Sequence, residues 1–341
     1  MNSKTFSIFT FSFLLLLSCN KKQEPGSVEA LPAPVENIEN DSITDQETPR
    51  KESINLFNIM PKDSSDIAFI SLSDIYPLNE NDAEALPNIE ERGILSAEYM
   101  TLEANQRKKF LSKINISEND SLFAYDYGKN KLARFAIKNL KASALLNGYS
   151  SQEDWPYKPY DYMVGFSINK QLLNGFSEYY RDAIVYVGKE NPFSKEGLTP
   201  IAWKKTTAAE FPSKALKNED RKLLKNTTLG GTYFYKNNNF HYFIQDYLDS
   251  RKEVFARRLF ILNAETKDII LEKLYSQSEG TSPSPLNYQN PDNVIEQYTG
   301  KLFKDKPPVV FGFLYESFGC PVISLIDKSK EEIYIQCDNR H

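Results

Sequence analysis

Four stretches of this chain carry the same signal: two runs of β-branched and aromatic residues separated by a short polar turn. They are Ser121 to Ile137 around Gly128-Lys129-Asn130, Thr232 to Ile244 around Asn237-Asn238-Asn239, Arg258 to Leu274 around Asn263 to Lys267, and Pro321 to Gln336 around Asp327 to Lys330. Such runs pair with themselves as β-hairpins, because the turn residues tolerate the backbone that a tight reversal needs. Hairpins commit the chain to antiparallel sheet, and their uneven starting points argue against a propeller or solenoid, whose units recur at one period. Further strands are expected at Ile67 to Leu72, Tyr162 to Ile168, Ala183 to Val187 and Val309 to Tyr315. Helices are fewer. Leu102 to Ile114 and Gln171 to Tyr180 carry apolar residues at helical spacing, the second behind Asn169 as a cap, and Asp292 to Tyr298 is expected to end as a helix at Gly300. The expected fold class is α+β, with antiparallel β-sheet dominant, several β-hairpins and a few short helices.

The chain before residue 54 reads differently. Lys4 supplies a positive charge, Phe6 to Leu17 is an apolar and hydroxyl run, and Leu16-Leu17-Ser18-Cys19 follows directly. As a helix that run would span about 18 Å, short of the ~30 Å of bilayer hydrocarbon, so residues 1–18 read as a secretory signal rather than a membrane span. The tetrad Leu16-Leu17-Ser18-Cys19 resembles the lipobox of bacterial lipoprotein precursors. The resemblance covers the leader alone. It implies that Cys19 becomes the first mature residue, carries acyl chains, and anchors the protein to the membrane as an outer-membrane lipoprotein of the cell envelope. Each buried methylene contributes ~0.8 kcal/mol, so several chains make the attachment effectively permanent.

Residues 19–53 hold Pro25, Pro32, Pro34 and Pro49, many acidic residues and almost no large apolar side chain. Too little apolar surface is present to offset the entropy of ordering, so a disordered tether is expected, with an r.m.s. span of about 30 Å. Surface-exported lipoproteins often carry acidic residues after the anchor. Here Lys21-Lys22 comes first, which leaves the periplasmic or surface face open. Residues 54–341 are then one large folded body, with Ser276 to Pro285 as the place where it would divide.

Cys320 and Cys337 bracket the last hairpin. A turn centred on Lys328-Ser329 sets Cys320 opposite Cys337, Val322 opposite Ile335, Ser324 opposite Ile333 and Asp327 opposite Lys330. Opposed Cα atoms lie ~4.5 to 5.5 Å apart, which a disulfide accepts, and an exported chain meets an oxidising compartment. The rival reading, a thiol pair for metal or redox chemistry, lacks a Cys-x-x-Cys spacing.

Residue types narrow the chemistry. Acidic residues number 46 against 41 basic, a net charge of −5, so nothing is available to neutralise a run of phosphates and no nucleic-acid partner is expected. The chain has 2 His, and with the cysteines paired no metal site is expected. His241 falls in a predicted strand and no Gly-x-Ser-x-Gly elbow presents a nucleophile. Thr299-Gly300-Lys301 lacks the upstream glycine of a phosphate loop and reads as a helix end, so no cofactor is expected. Catalytic residues remain unknown. Carboxylates are abundant, and Glu279 and Glu316 stand out only by position. The densest aromatic segment, Trp155-Pro156-Tyr157-Lys158-Pro159-Tyr160-Asp161-Tyr162, offers Trp155, Tyr157, Tyr160 and Tyr162 as ligand-binding candidates; the same rings could instead pin the loop to the sheet. The leading expectation is a non-catalytic binding module for a glycan, peptide or protein. The alternatives are an anchored, glycan-directed hydrolase using paired carboxylates, and an envelope immunity or inhibitor protein.

Overall fold

A computed structural model describes residues 54–62, 64–237, 239–287, 294–317 and 319–338. The leader, Cys19 and the expected tether lie outside these residues. All four hairpins are present, as Ser121–Asp126 with Lys131–Ala136, Thr228–Lys236 with Phe240–Leu248, Val254–Asn263 with Ile269–Ser276, and Val322–Leu325 with Glu332–Gln336. The expected strands near Ile67, Tyr162 and Ala183 are Ile67–Ser71, Tyr162–Asn169 and Ala183–Gly188. The fold is α+β with antiparallel sheet dominant, and α-helices among the described residues are Ile94–Ala97, Ala104–Lys113 and Asn218–Leu223.

The largest sheet runs in the order Phe193–Pro200, Tyr298–Phe303, Val309–Phe311, Val322–Leu325, Glu332–Gln336, Leu56–Asn58, Ala183–Gly188, Ser121–Asp126 and Lys131–Ala136. Leu56–Asn58 runs parallel to Glu332–Gln336, so the first described strand is joined to the last. The sheet curls strongly. Tyr125 on its eighth strand stacks on Phe193 of its first, with ring centroids 5.0 Å apart, a curvature that twisted strands accumulate. One apolar cluster containing Leu56, Phe123, Ile184, Phe303, Ile323 and Ile335 fills the concave side.

Alternate residues of the same strands face outward and are buried too. Leu122, Ala124, Phe57 and Val185 join a second core with the five-stranded sheet of Met60–Pro61, Ile67–Ser71, Tyr162–Asn169, Lys141–Leu146 and Tyr99–Thr101. Helix Ala104–Lys113 closes that core with Phe110, whose ring lies 5.0 Å from Tyr76 and 5.7 Å from Phe166. Another five-stranded sheet, Lys204–Thr206, Thr228–Lys236, Phe240–Leu248, Val254–Asn263 and Ile269–Ser276, buries Tyr242, Ile244, Leu259 and Ile261 with Val310, Phe313 and Ile326.

Four expectations are corrected. Gln171 to Tyr180 forms two 3-10 turns, Lys170–Leu173 and Glu178–Tyr180, rather than a helix. Asn174-Gly175 is a turn signal stronger than the apolar spacing, and Gly175 sits at φ 81 between the two pieces. Asn169 does cap, accepting from the Gln171 amide at 2.8 Å. In the expected helix Asp292 to Tyr298, residues 292–293 lie outside the described ones; 294–297 are not helical and Tyr298 opens strand Tyr298–Phe303. Aromatic Tyr298 and β-branched Thr299 are held by strands on both sides, and Gly300 is a strand residue, not a helix end.

The stretch Val309 to Tyr315 is broken into Val309–Phe311 and Leu314–Glu316, and the second piece leaves the large sheet to pair with Thr281–Pro283. Gly312 makes the break: at φ 88 it adopts a backbone closed to most side chains, and a Cβ there would collide with the Glu296 carbonyl oxygen.

The last hairpin is shifted by one residue from the expected register, pairing Ile323 with Ile333 and Ser324 with Glu332. Lys330 at φ 61 admits an extra loop residue, and Leu325 donates to the Glu331 carbonyl at 3.3 Å. The slip gathers Ile323, Leu325, Ile333 and Ile335 on the buried face and leaves Tyr334 56% exposed. The expected register would have split those four between opposite faces, which is why it loses. Cys320 and Cys337 are disulfide-bonded with Cα atoms 5.5 Å apart, from positions just beyond the ladder rather than as a directly opposed pair.

Candidate functional site

The aromatic segment spends most of its rings on packing. Tyr162 opens a strand and is fully buried, and Tyr157 is 3% exposed. Their rings meet edge to face at 6.2 Å, and Trp155 packs against Tyr157 in the same way at 5.3 Å. The Lys158 amide donates to Asp161 at 2.7 Å, fixing the turn that follows. Tyr160, at 43% exposed, is the outward-facing ring of the four. It lines an open hollow of about 620 Å³ with Tyr149, Asp154, Lys158 and Asp161. The structure therefore does not bring Trp155, Tyr157, Tyr160 and Tyr162 together as one binding face.

A more defined pocket, of about 420 Å³, opens where the broken strand leaves the large sheet. Phe313 and Tyr275 stack beneath it at 4.8 Å, and Tyr127 packs edge-on against Phe311 at 5.2 Å. Tyr315 stands at the rim, 42% exposed. Gly312 lets the chain turn here: its carbonyl accepts from the Ser284 hydroxyl at 2.6 Å and from the Gln297 side-chain Nε2 at 2.8 Å, which ties the break to the side chain that follows Glu296.

Five charged side chains line this pocket: Arg181, Lys273, Glu296, Glu316 and Glu332. Lys273 is committed, donating to the Ser324 hydroxyl at 2.8 Å and to Glu332. Glu296 accepts from the Tyr315 hydroxyl at 3.0 Å. Burial raises the Glu296 carboxyl above its ordinary range, against the lowering effect of Tyr315 and Arg181, and Asp182 raises it further. Glu316 is raised by burial alone. Neither carboxyl perturbs the other. Glycoside hydrolysis needs two facing carboxyls driven apart, one kept protonated and one kept ionised. Burial raises both here.

Arg181 reaches the pocket from a tightly specified loop. Its Nε donates to Asp182 at 3.4 Å, and its side chain is 56% exposed. Asp182 is buried, its carboxyl raised mainly by desolvation, and its amide donates to Ser177 Oγ at 3.0 Å. Asp126, fully buried, accepts from the Ser177 and Lys129 amides. Between these anchors Tyr179 and Tyr180 sit at φ 52 and 58, a left-handed backbone costing about 1–2 kcal/mol per residue.

Of the residues singled out in the sequence, Glu316 lines this pocket, whereas Glu279 is exposed outside it. His241 lies in strand Phe240–Leu248 opposite Lys236, its imidazole pKa lowered by burial and then by Lys267 and Lys236. Among the described residues no three His, Cys, Asp or Glu side chains are grouped as a metal site requires. Arg181, Glu296, Tyr127 and Tyr275 were not legible as site residues, since they come from separate strands and loops; a glycine inside a β-branched run at Gly312 was the one local sign. No family model matches the chain, and no curated protein and no solved structure matches it significantly.

Proposed function

We propose that this chain is a lipid-anchored bacterial cell-envelope protein, held at the outer membrane through Cys19, whose body binds a glycan without catalysis in the Tyr275–Phe313 pocket. The leader and its Leu16-Leu17-Ser18-Cys19 ending support the anchor. The observation that carries the binding reading is the pocket itself: aromatic walls beside polar side chains in a hollow of about 420 Å³. Sugar rings present an apolar face to an aromatic and hydroxyls to the surrounding polar groups, so this lining suits them.

The test is a titration of the Cys19→Ala chain against envelope polysaccharides, beside Tyr315→Ala. The Tyr315 ring is exposed at the rim, so removing it spares the core, and losing one ring contact of ~1 kcal/mol weakens binding about fivefold. Absence of any glycan binding, or hydrolysis of the bound glycan, overturns the reading. For the anchor, a radioactive fatty acid should label the wild-type chain and not Cys19→Ala; equal labelling refutes it.

A further inference from the structure

We infer that the glycan taken by this pocket is acidic, with a sugar carboxylate seated on the outer edge of the Arg181 guanidinium. The inference rests on the glycan reading above. Arg181 meets Asp182 through Nε alone, at 3.4 Å, and its terminal nitrogens make no hydrogen bond to the described residues. The pocket's other cation, Lys273, is occupied by Glu332 and Ser324. Arg181 is therefore the cation in the lining with donors to spare. A guanidinium edge matches a carboxylate with two parallel hydrogen bonds, a geometry that a neutral sugar cannot reproduce.

The loop is built to deliver this one side chain. Buried Asp126 and Ser177 clamp it on either side of Tyr179 and Tyr180, whose left-handed backbone survives only where the surroundings over-determine it. A cationic ligand would meet Arg181 with repulsion and leave its donors unused.

The experiment titrates the Cys19→Ala chain with glucuronate- and galacturonate-containing tetrasaccharides, each beside its methyl ester, which removes the charge and keeps the ring. The acids should bind at least tenfold tighter than the esters. Arg181→Ala should abolish that preference, and Arg181→Lys, which keeps the charge and loses the fork, should retain only part of it. Thermal melts of both variants report whether the loop still folds; Arg181→Lys keeps the proposal testable if Arg181→Ala does not. Equal binding of acid and ester, or a preference that survives Arg181→Ala, overturns the inference and leaves glycan binding standing. No binding of acid, ester or neutral glycan overturns both.

Discussion

Replacing Gly312 with alanine tests how the pocket is made. At φ 88 the residue sits where an L side chain costs about 1–2 kcal/mol. The added Cβ would also press into the carbonyl of Glu296, and a carbonyl held in a packed backbone has no rotamer by which to withdraw. Relief must come from moving the Gly312 peptide, whose oxygen holds the Ser284 hydroxyl at 2.6 Å and the Gln297 side-chain Nε2 at 2.8 Å. Each of those bonds contributes about 1 kcal/mol net, so the full cost is about 3–4 kcal/mol. At roughly 2–3 °C per kcal/mol for a chain of this size, the melting temperature should fall by roughly 6–12 °C. Differential scanning calorimetry on the Cys19→Ala background measures it, with Gly148→Ala as the control. Gly148 has φ outside the left-handed region and no atom within 4 Å of an added Cβ, so that variant should melt with the parent or slightly above it. If Gly312→Ala melts within a degree of Gly148→Ala, the contact with Glu296 does not enforce the break and the account of the pocket fails.

Other outcomes follow from the same structure. Reducing Cys320–Cys337, which are 17 residues apart, should lower stability by about 3 kcal/mol in the chain-entropy model, read as a lower urea midpoint; an unchanged midpoint would show that the hairpin is held without it. Asp246→Ala strands Arg257, its partner at 2.9 Å with both side chains buried, and should cost about 3–5 kcal/mol in chemical denaturation; a loss below ~1 kcal/mol would mean that Arg257 relaxes onto Ser284 alone. His241 has a folded pKa below its ordinary value, so the fold favours the neutral ring. That contribution is present above the unfolded pKa of ~6.5 and is lost as pH falls through the lower folded value. His241→Gln should therefore lose less melting temperature than wild type between pH 7 and pH 5, and parallel curves would contradict it.

The local parts of this fold were readable and the assembly was not. Each hairpin carries its own turn chemistry within a few residues, so Gly128-Lys129-Asn130 or Asn263 to Lys267 announces a reversal whatever surrounds it. Register needs more. In the last hairpin the charge pair Asp327 and Lys330 pointed to one alignment, while the four apolar residues Ile323, Leu325, Ile333 and Ile335 demanded the neighbouring one, and burial outweighs a solvent-exposed pair. Short apolar runs are ambiguous between helix and strand, and at Tyr298 the choice is made by its neighbours, the next strand Val309–Phe311 on one side and the distant Phe193–Pro200 on the other. The aromatic segment illustrates the same limit for sites. Composition marked Trp155, Tyr157, Tyr160 and Tyr162, yet whether a ring faces solvent depends on the strand that follows, and Tyr162 is the first residue of a buried one.

The pocket arises because one β-rich stretch cannot stay in one sheet. Val309–Phe311 belongs to the curled sheet, while Leu314–Glu316 is drawn onto Thr281–Pro283 at the end of the Ser- and Pro-rich stretch. Two adjacent strands diverging at Gly312 must leave a wedge between them, and here Tyr275 and Phe313 line it instead of filling it. The disulfide sits on the same rim, since Pro321 and Val322 line the opening and Cys320 precedes them. A cross-link there restrains the hairpin from closing onto the wedge or fraying away from it. Glycine, proline and cystine, scattered in the sequence as punctuation, thus converge on one opening. For the proposed glycan site, each restraint reduces the freedom lost when a ligand arrives.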